Sequence, residues 1–245
     1  MTAEPDRGDG ELTLVWERPE PQSRSAPVPL SRNQIIGTAI ALADADGLDS
    51  VSLRKVAAAL GAGPMRLYGY LSTKDELLDL MVDAVYAELV PTEPADGNWR
   101  TTLSSLAHRT RGAVHRHEWF VDLLGGRPHV GPNALAFIEA SLAALDGVPG
   151  FDHIDFVMQA VRAVHAYVIG AVRSEITELR TERATGMDEQ QWQRVSGPYM
   201  QRMLATGRYP TLVKVFQQST HPDPDTTFNT GLDQMLDGIA ARLAR

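Results

Sequence analysis

The chain contains no cysteine among its 245 residues, which excludes disulfides, thiolate metal sites and cysteine nucleophiles. Long apolar runs are also missing. The longest stretches without Asp, Glu, Lys or Arg are 11 residues, at 33–43 and 128–138, whereas a membrane-spanning helix needs about 20 apolar residues. No charged and then apolar leader opens the sequence, so we expect a cytoplasmic protein without a membrane segment.

A surplus of basic charge is absent as well. The sequence has 23 Lys and Arg against 31 Asp and Glu, for a net charge of −8. Proteins that coat nucleic acid without sequence preference need a broad basic surface to displace counterions, and this balance excludes them. A small local basic face remains compatible with it. The content of hydrophobic (43%) and charged (22%) residues is that of an ordinary globular protein.

Helical spacing of apolar residues dominates the chain from residue 31 onward, and alternating β-type runs are missing. The sequence therefore predicts an all-α protein. Residues 1–29 are rich in proline and charge, and we expect a mostly disordered arm there. We expect a compact domain of three helices at 30–76 and a larger helical domain at 77–245.

The N-terminal helices carry clear start and stop signals. Ser31 is a candidate N-cap for the first helix, and Gly61 is suited to end the second. Pro64 is well placed to open a third helix, running to about residue 71, and Thr73 with Glu76 forms a capping box for the fourth. Two short helices joined by a glycine-containing turn predict a helix-turn-helix motif.

The third helix is the candidate recognition helix, since the second helix of this motif enters the major groove. Leu67 and Leu71 are expected to face inward. This leaves on the outer surface Met65, Arg66, Tyr68, Gly69 and Tyr70. Arg66 can bond the guanine edge, and the tyrosines can contact phosphates or thymine methyls. Lys74, at the start of the fourth helix, can help to hold a phosphate.

Residues 52–85, SLRKVAAALGAGPMRLYGYLSTKDELLDLMVDAV, resemble the N-terminal domain of the TetR family of repressors. The shared pattern is Leu-Gly, five residues, Leu-Tyr, one residue, an aromatic, and a Lys-x-x-Leu-Leu helix start. The resemblance implies DNA contacts at six positions: Arg54, Lys55, Arg66, Tyr68, Tyr70 and Lys74. Many members have His before Phe or Val where this chain has Tyr70 and Leu71, so the base preference is not carried over.

Dimerisation is the expected task of part of the helical body, because one small DNA-binding module makes few phosphate contacts. The last helix carries an apolar stripe formed by Phe228, Leu232, Met235, Leu236, Ile239 and Leu243. Together with a long helix over 152–180, the stripe is expected to form a four-helix interface between two subunits, as the resemblance implies. The alternative is that both helices pack inside one subunit.

A small-molecule site is expected in the same body. Met158, Arg162 and His165 share one face of the long helix, and polar groups on an apolar face suggest a ligand wall. Further candidates precede them: Trp119, Phe120, His129, Asn133 and Phe137. Residues 125–142 and 160–175 resemble the tetracycline-repressor branch, which implies that Arg127 borders the effector site. The alternative is that these aromatics belong to the core.

Signatures of catalysis and metal binding are missing from the sequence. His115 and His117 are spaced i, i+2, which points them to different sides of a helix, and no phosphate loop or nucleophile elbow is present. No cofactor is expected. The sequence predicts a homodimeric repressor that an apolar or amphipathic effector releases from a palindromic operator. The alternative is a helical ligand- or partner-binding protein that does not bind DNA.

Overall fold

A computed structural model describes residues 14–21, 30–91 and 98–243. The α-helices are α1 (Arg32–Asp46), α2 (Leu53–Ala59), α3 (Pro64–Leu67), α4 (Lys74–Leu89), α5 (Trp99–Arg116), α6 (Phe120–Leu123), α7 (Pro132–Ala143), α8 (Ile154–Thr185), α9 (Glu189–Ala205), α10 (Pro210–Gln218) and α11 (Pro224–Leu243). No β-strand occurs among the described residues. The predicted all-α class is confirmed.

Two compact units divide the chain: the first contains residues 1–92 and 126–140, and the second contains residues 93–125 and 141–245. In the first unit, α1 packs against α2 and α4, and α2 packs against α3. Its fully buried core includes Ile35, Leu67, Leu71, Leu77 and Met81. Each such side chain contributes about 1.5–3 kcal/mol when it leaves water, so these few contacts hold the short helices in place.

The predicted helix starts of the first unit are confirmed by side-chain caps. Ser31 Oγ accepts from the Gln34 N–H, and Thr73 Oγ1 accepts from the Glu76 N–H at 3.1 Å. The predicted capping box of Thr73 with Glu76 is only half formed, because the Glu76 carboxylate accepts from the Ser72 N–H and not from the Thr73 N–H. Gly61 follows α2 with φ +62°, a left-handed conformation that glycine adopts at little cost. Local chemistry within four residues decides each of these boundaries, which is why the sequence reveals them.

Part of the expected disordered arm has a definite structure. Residues 14–21 form a turn within the first unit, and Val15 is buried there. The expectation of disorder therefore does not hold for this piece, because its short apolar patch finds a partner surface. The rest of the predicted arm, residues 1–13 and 22–29, lies outside the described residues.

The second unit is built around α8, which packs against α5, α6 and α11. The buried side of α8 carries valines at helical spacing: Val157, Val161, Val164, Val168 and Val172. The predicted subunit interface on α11 is wrong for four members of the stripe. Phe228, Leu232, Leu236 and Ile239 are buried within the single chain. An amphipathic stripe satisfies either arrangement, and here α8 and α5 supply the partner surface.

Helices α9 and α10 differ from the rest of the second unit. They contact each other, yet neither contains a buried residue. Trp192, Val195 and Tyr199 share one face of α9 and are exposed by more than half of their surface. Leu212, Val215 and Phe216 form the corresponding exposed face of α10.

Candidate nucleic-acid interface

The geometry of α2 and α3 is that of a helix-turn-helix. α2 ends at Ala59, and only residues 60–63 separate it from Pro64 at the first position of α3. Leu67 points into the core, whereas Met65 is 80% exposed and Tyr68 is 51% exposed. The exposed methionine on this short helix and the exposed tyrosine directly after it form a surface that can contact base edges or phosphates.

The predicted cationic contacts lie on three helices of the first unit. Arg54 and Lys55 are exposed on α2, and Lys74 is exposed at the first position of α4. Arg66 is half-buried on α3. The first turn of α4 has backbone N–H groups without helical partners. These N–H groups and the positive charge of Lys74 both favour an anion at this position. The assignment of these four residues to DNA contacts stays a prediction.

Tyr70 does not lie on the outer surface, so that expectation is wrong. Its side chain is 6% exposed, and its hydroxyl donates to the Leu30 carbonyl oxygen at 2.5 Å. The reason is that α3 ends at Leu67, four residues before the predicted end, and a turn replaces the last part of the helix. The turn directs Tyr70 toward the core, and only Tyr68 of the two tyrosines remains available to a ligand.

A buried carboxylate that the sequence analysis missed fixes α4 to the start of α7. Asp83 Oδ1 accepts from the backbone N–H groups of Asn133 (3.0 Å) and Ala134 (2.9 Å), and Asp83 Oδ2 accepts from Asn133 Nδ2 at 2.9 Å. A Cβ on Gly131 would collide with Asp83 Oδ1, so only glycine fits there. An acid among the apolar residues of α4, together with a Gly-Pro-Asn helix start, was the available signal.

Three of the predicted effector residues of the first unit contact residues of α4: His129, Asn133 and Phe137. His129 and Phe137 both approach the ring of Tyr86, with centroid separations of 6.0 and 5.4 Å. Burial, assisted by the negative charge of Asp83, raises the pKa of Tyr86 to about 12. Asn133 binds Asp83, as described above, and Arg127 is exposed. The structure therefore brings His129 and Phe137 together around α4.

The predicted effector residues of the second unit fall into two groups. Trp119 and Phe120 are buried edge to face, with ring centroids 6.2 Å apart. His165 Nε2 lies 3.3 Å from Ser141 Oγ, and burial lowers the pKa of this imidazole to about 4. Arg162 is exposed and Met158 is 42% exposed. The expectation that Arg162 stands in apolar surroundings is therefore wrong for the single chain, because it lies on the outer side of α8.

Two other kinds of feature are absent from the described segments. None of the helices there is long and apolar enough to cross a membrane. No group of three or more His, Asp or Glu side chains in the same segments is arranged to hold a metal ion.

Two consecutive segments of the chain match known protein families. Residues 35–81 match the family described as "Bacterial regulatory proteins, tetR family", and residues 90–243 match "Tetracyclin repressor-like, C-terminal domain". The matches lie on either side of residues 82–89, in the second half of α4. Together they cover most of the chain.

Individual relatives agree with these families. The chain is 35% identical over 235 residues to the HTH-type transcriptional repressor DrrR1 of Streptomyces coeruleorubidus, covering 96% of this chain and 86% of that protein. It is 29% identical to the tetracycline repressor protein class A from transposon 1721 of Escherichia coli, covering 87% and 92%. The crystal structure of the Streptomyces coelicolor TetR family protein ActR in complex with actinorhodin has a TM-score of 0.73 at 27% identity, covering 87% and 97%.

Proposed function

The chain belongs to the TetR family of DNA-binding transcriptional regulators, and we propose that it is a cytoplasmic repressor that a small molecule releases from its operator. The exposed surface of α3 carries this proposal. Met65 projects from this short helix and Tyr68 from the residue directly after it, while the opposite side, at Leu67, is anchored in the core. Rigid attachment of exposed side chains to a core is what sequence-specific contact requires.

Charge favours specific over indiscriminate binding. Exposed cations occur at Arg54, Lys55 and Lys74, while the chain as a whole carries a charge of −8. Few phosphate contacts make binding depend on the base contacts of α3 and on two copies of the motif. A regulator of this kind dissociates readily once an effector disturbs the spacing of its recognition helices.

The proposed effector is an apolar or amphipathic molecule, and α4 is the proposed lever. Residues along α4 contact the segment that contains His129 and Phe137 in two ways. Tyr86 approaches both rings, and Asp83 accepts hydrogen bonds from Asn133 and Ala134, an arrangement that we call the Asp83 clamp. An effector that displaces this segment pulls on α4, whose first residue is Lys74. Release follows only if the effector binds the DNA-free conformation better than the DNA-bound one.

A homodimer is the proposed active form. Exposed apolar residues on α9 and α10 are grouped into faces and do not stand alone. Grouped apolar residues on a surface mark interaction sites. A groove of about 1120 Å³ runs beside α8, and its wall on α8 includes four small residues: Ala166, Gly170, Ala171 and Ser174. Small side chains let a helix of a second copy approach closely, and one symmetric interface would cover both features.

Operator binding is tested with the full-length protein and fluorescent DNA from the region upstream of its own gene. Fluorescence anisotropy should show saturable binding that weakens steeply with salt and that exceeds binding to a scrambled duplex by at least about a thousandfold. Equal affinity for both duplexes, or no binding to either, would contradict the repressor and favour the alternative of a helical protein that binds only ligands or partners.

Effector release is tested on the protein–DNA complex. Tetracycline and actinorhodin are the first probes, because relatives of this chain carry those molecules in their names or structures. A true effector should lower the anisotropy of bound DNA in a saturable manner. It should also raise the midpoint of thermal unfolding of the free protein, since it binds the folded state.

A further inference from the structure

Residues 14–21, the segment that precedes α1, lie beside the end of the recognition helix. Val15 is buried and Trp16 is half-buried within the first unit. A Cβ placed on Gly69, directly after Tyr68, would come within 3.3 Å of Pro21 Cγ. The segment therefore borders the turn that joins α3 to α4, next to the proposed DNA-binding surface.

Arg18 is the residue that fastens this segment. Its Nη1 donates to Ser72 Oγ at 2.8 Å in the α3–α4 turn, and its Nη2 lies 2.5 Å from Glu76 Oε1 in the first turn of α4. Arg32, the first residue of α1, donates to the backbone oxygen of Arg18 at 2.9 Å. One guanidinium thus bridges the turn and α4, while α1 holds its backbone.

Glu76 connects Arg18 to the start of α4 through two further hydrogen bonds. Its Oε2 accepts from the Ser72 N–H at 2.6 Å, and its own N–H donates to Thr73 Oγ1. Burial by itself would raise the pKa of Glu76, but the hydrogen bonds from Arg18 and the Ser72 N–H outweigh it and lower that pKa below the ordinary value. Glu76 is therefore ionised at neutral pH, and its bonds join it to Ser72 and Thr73, the two residues that precede Lys74.

We propose that Arg18 is a positioning residue for operator binding: it holds the first turn of α4, with Lys74, in the geometry that binds a phosphate, and does not itself contact DNA. The inference rests on the DNA-binding function proposed above. Local charge supports positioning over direct attraction, because Glu17 and Glu20 flank Arg18 and leave residues 14–21 with a net negative charge. Ordering the turn in advance lowers the entropy lost on binding.

Two substitutions in the full-length protein test this role by the direction in which each changes the affinity for the operator. Arg18→Ala and Glu76→Gln should each weaken operator binding, roughly threefold to tenfold, by breaking the same bridge. Because Arg18 and Glu76 belong to one bridge, the effects of the two substitutions on affinity should not add. The double variant should bind the operator as tightly as the single variant that has the lower affinity. If Arg18 contacted DNA directly, Glu76→Gln would instead strengthen binding, because it removes an acid and frees the guanidinium.

Two more variants complete the design, all measured by anisotropy on the same upstream duplex. In a Lys74→Ala background, Arg18→Ala should have little further effect, whereas a full additional loss would overturn the proposal. Glu20→Gln, an exposed change in the same segment, is the matched control and should alter affinity less than twofold.

Folding and function are kept apart in this experiment. If Arg18→Ala lowers the thermal midpoint by more than a few degrees, Glu76→Gln decides alone, because a glutamine oxygen can still accept from the Ser72 N–H. If Glu76→Gln then leaves the affinity unchanged, the proposal is wrong. If the wild-type protein binds no duplex, the repressor function itself is contradicted. If the wild-type protein binds and the variants bind equally well, only the role of Arg18 is contradicted.

Discussion

At the scale of single residues, Asp83 is notable as a carboxylate that lies in the core. It is buried on α4, and its carboxylate accepts three hydrogen bonds from Asn133 and Ala134 at the start of α7. The positive end of the α7 dipole adds to these bonds. An acid in the core is thus fully satisfied, and it serves as a cap supplied from another helix.

Asp83→Ala should therefore destabilise the fold, because it leaves the buried N–H of Ala134 and the part-buried N–H of Asn133 without an acceptor. The expected loss in free energy of unfolding is about 2–4 kcal/mol. Urea unfolding followed by circular dichroism measures it. Asp79→Ala, one turn earlier and half-exposed, should cost less than about 1 kcal/mol. An equal loss for both variants would contradict the clamp.

Gly131→Ala tests the same clamp from its other side. The added Cβ would collide with Asp83 Oδ1, so the carboxylate or the α7 start must shift. We expect a loss of about 1–3 kcal/mol in the same urea experiment. A Cβ added to Gly37, on α1, would meet no atom within 4 Å, so Gly37→Ala should be neutral or stabilising.

His165 should make stability depend on pH. Burial holds the imidazole neutral in the folded chain, with a pKa of about 4, whereas the unfolded chain protonates near 6.5. Between these values the unfolded state binds more protons, so the free energy of unfolding should fall as the pH drops from about 6.5 to 4, by on the order of 1–3 kcal/mol.

The measurement compares urea midpoints at pH 7 and pH 5 for the wild type and for His165→Gln. The variant should lose much of the difference between the two pH values, because its amide does not titrate. His153→Gln, an exposed substitution one residue before α8, controls for the loss of a histidine as such. A wild-type slope retained in His165→Gln would show that other groups cause it.

At the scale of elements, α3 shows how a short helix separates recognition from support. It spans Pro64–Leu67 only, and the turn after it sends Tyr70 inward while Tyr68 stays outside. The apolar spacing of Leu67 and Leu71 predicts a helix that continues to Leu71. Both leucines are indeed buried, so the pattern identified the core correctly and the helix end incorrectly.

The two tyrosines should therefore respond in opposite ways to substitution. Tyr68→Ala should weaken operator binding by about 1–3 kcal/mol and leave the free energy of unfolding nearly unchanged. Tyr70→Phe removes the hydrogen bond to the Leu30 oxygen and should cost about 1 kcal/mol of stability without changing affinity. Anisotropy and urea unfolding of both variants give the comparison, and a loss of affinity in Tyr70→Phe alone would reverse the assignment.

At the scale of the whole molecule, the exposed apolar faces of α9 and α10 are not explained by the packing of a single chain. Val215 and Phe216 stand about half-exposed on α10, and Val195 is 72% exposed on α9. Isolated apolar residues on a surface are common, but aligned faces on two neighbouring helices are typical of an interface.

Val215→Asp should consequently shift the proposed dimer toward the monomer, because it places a charge in an apolar contact. Sedimentation equilibrium of the free protein should show a dissociation constant raised by at least about tenfold, equivalent to 1.4 kcal/mol. Gln217→Asp introduces the same charge on the opposite side of α10 and should leave the constant unchanged. A wild-type monomer, or equal effects of both changes, would contradict this interface.

The sequence by itself determined the all-α class, most helix boundaries and the helix-turn-helix, because caps, glycine ends and apolar spacing act over a few residues. Thr73 with Glu76 and the Pro64 start are examples. Tertiary structure alone decided which surfaces those helices present. Tyr70 bonds a residue 40 positions away, Asp83 one 50 positions away and Arg18 one 54 positions away. Such partners depend on how distant segments meet in the folded chain, and neither spacing nor propensity encodes that meeting locally.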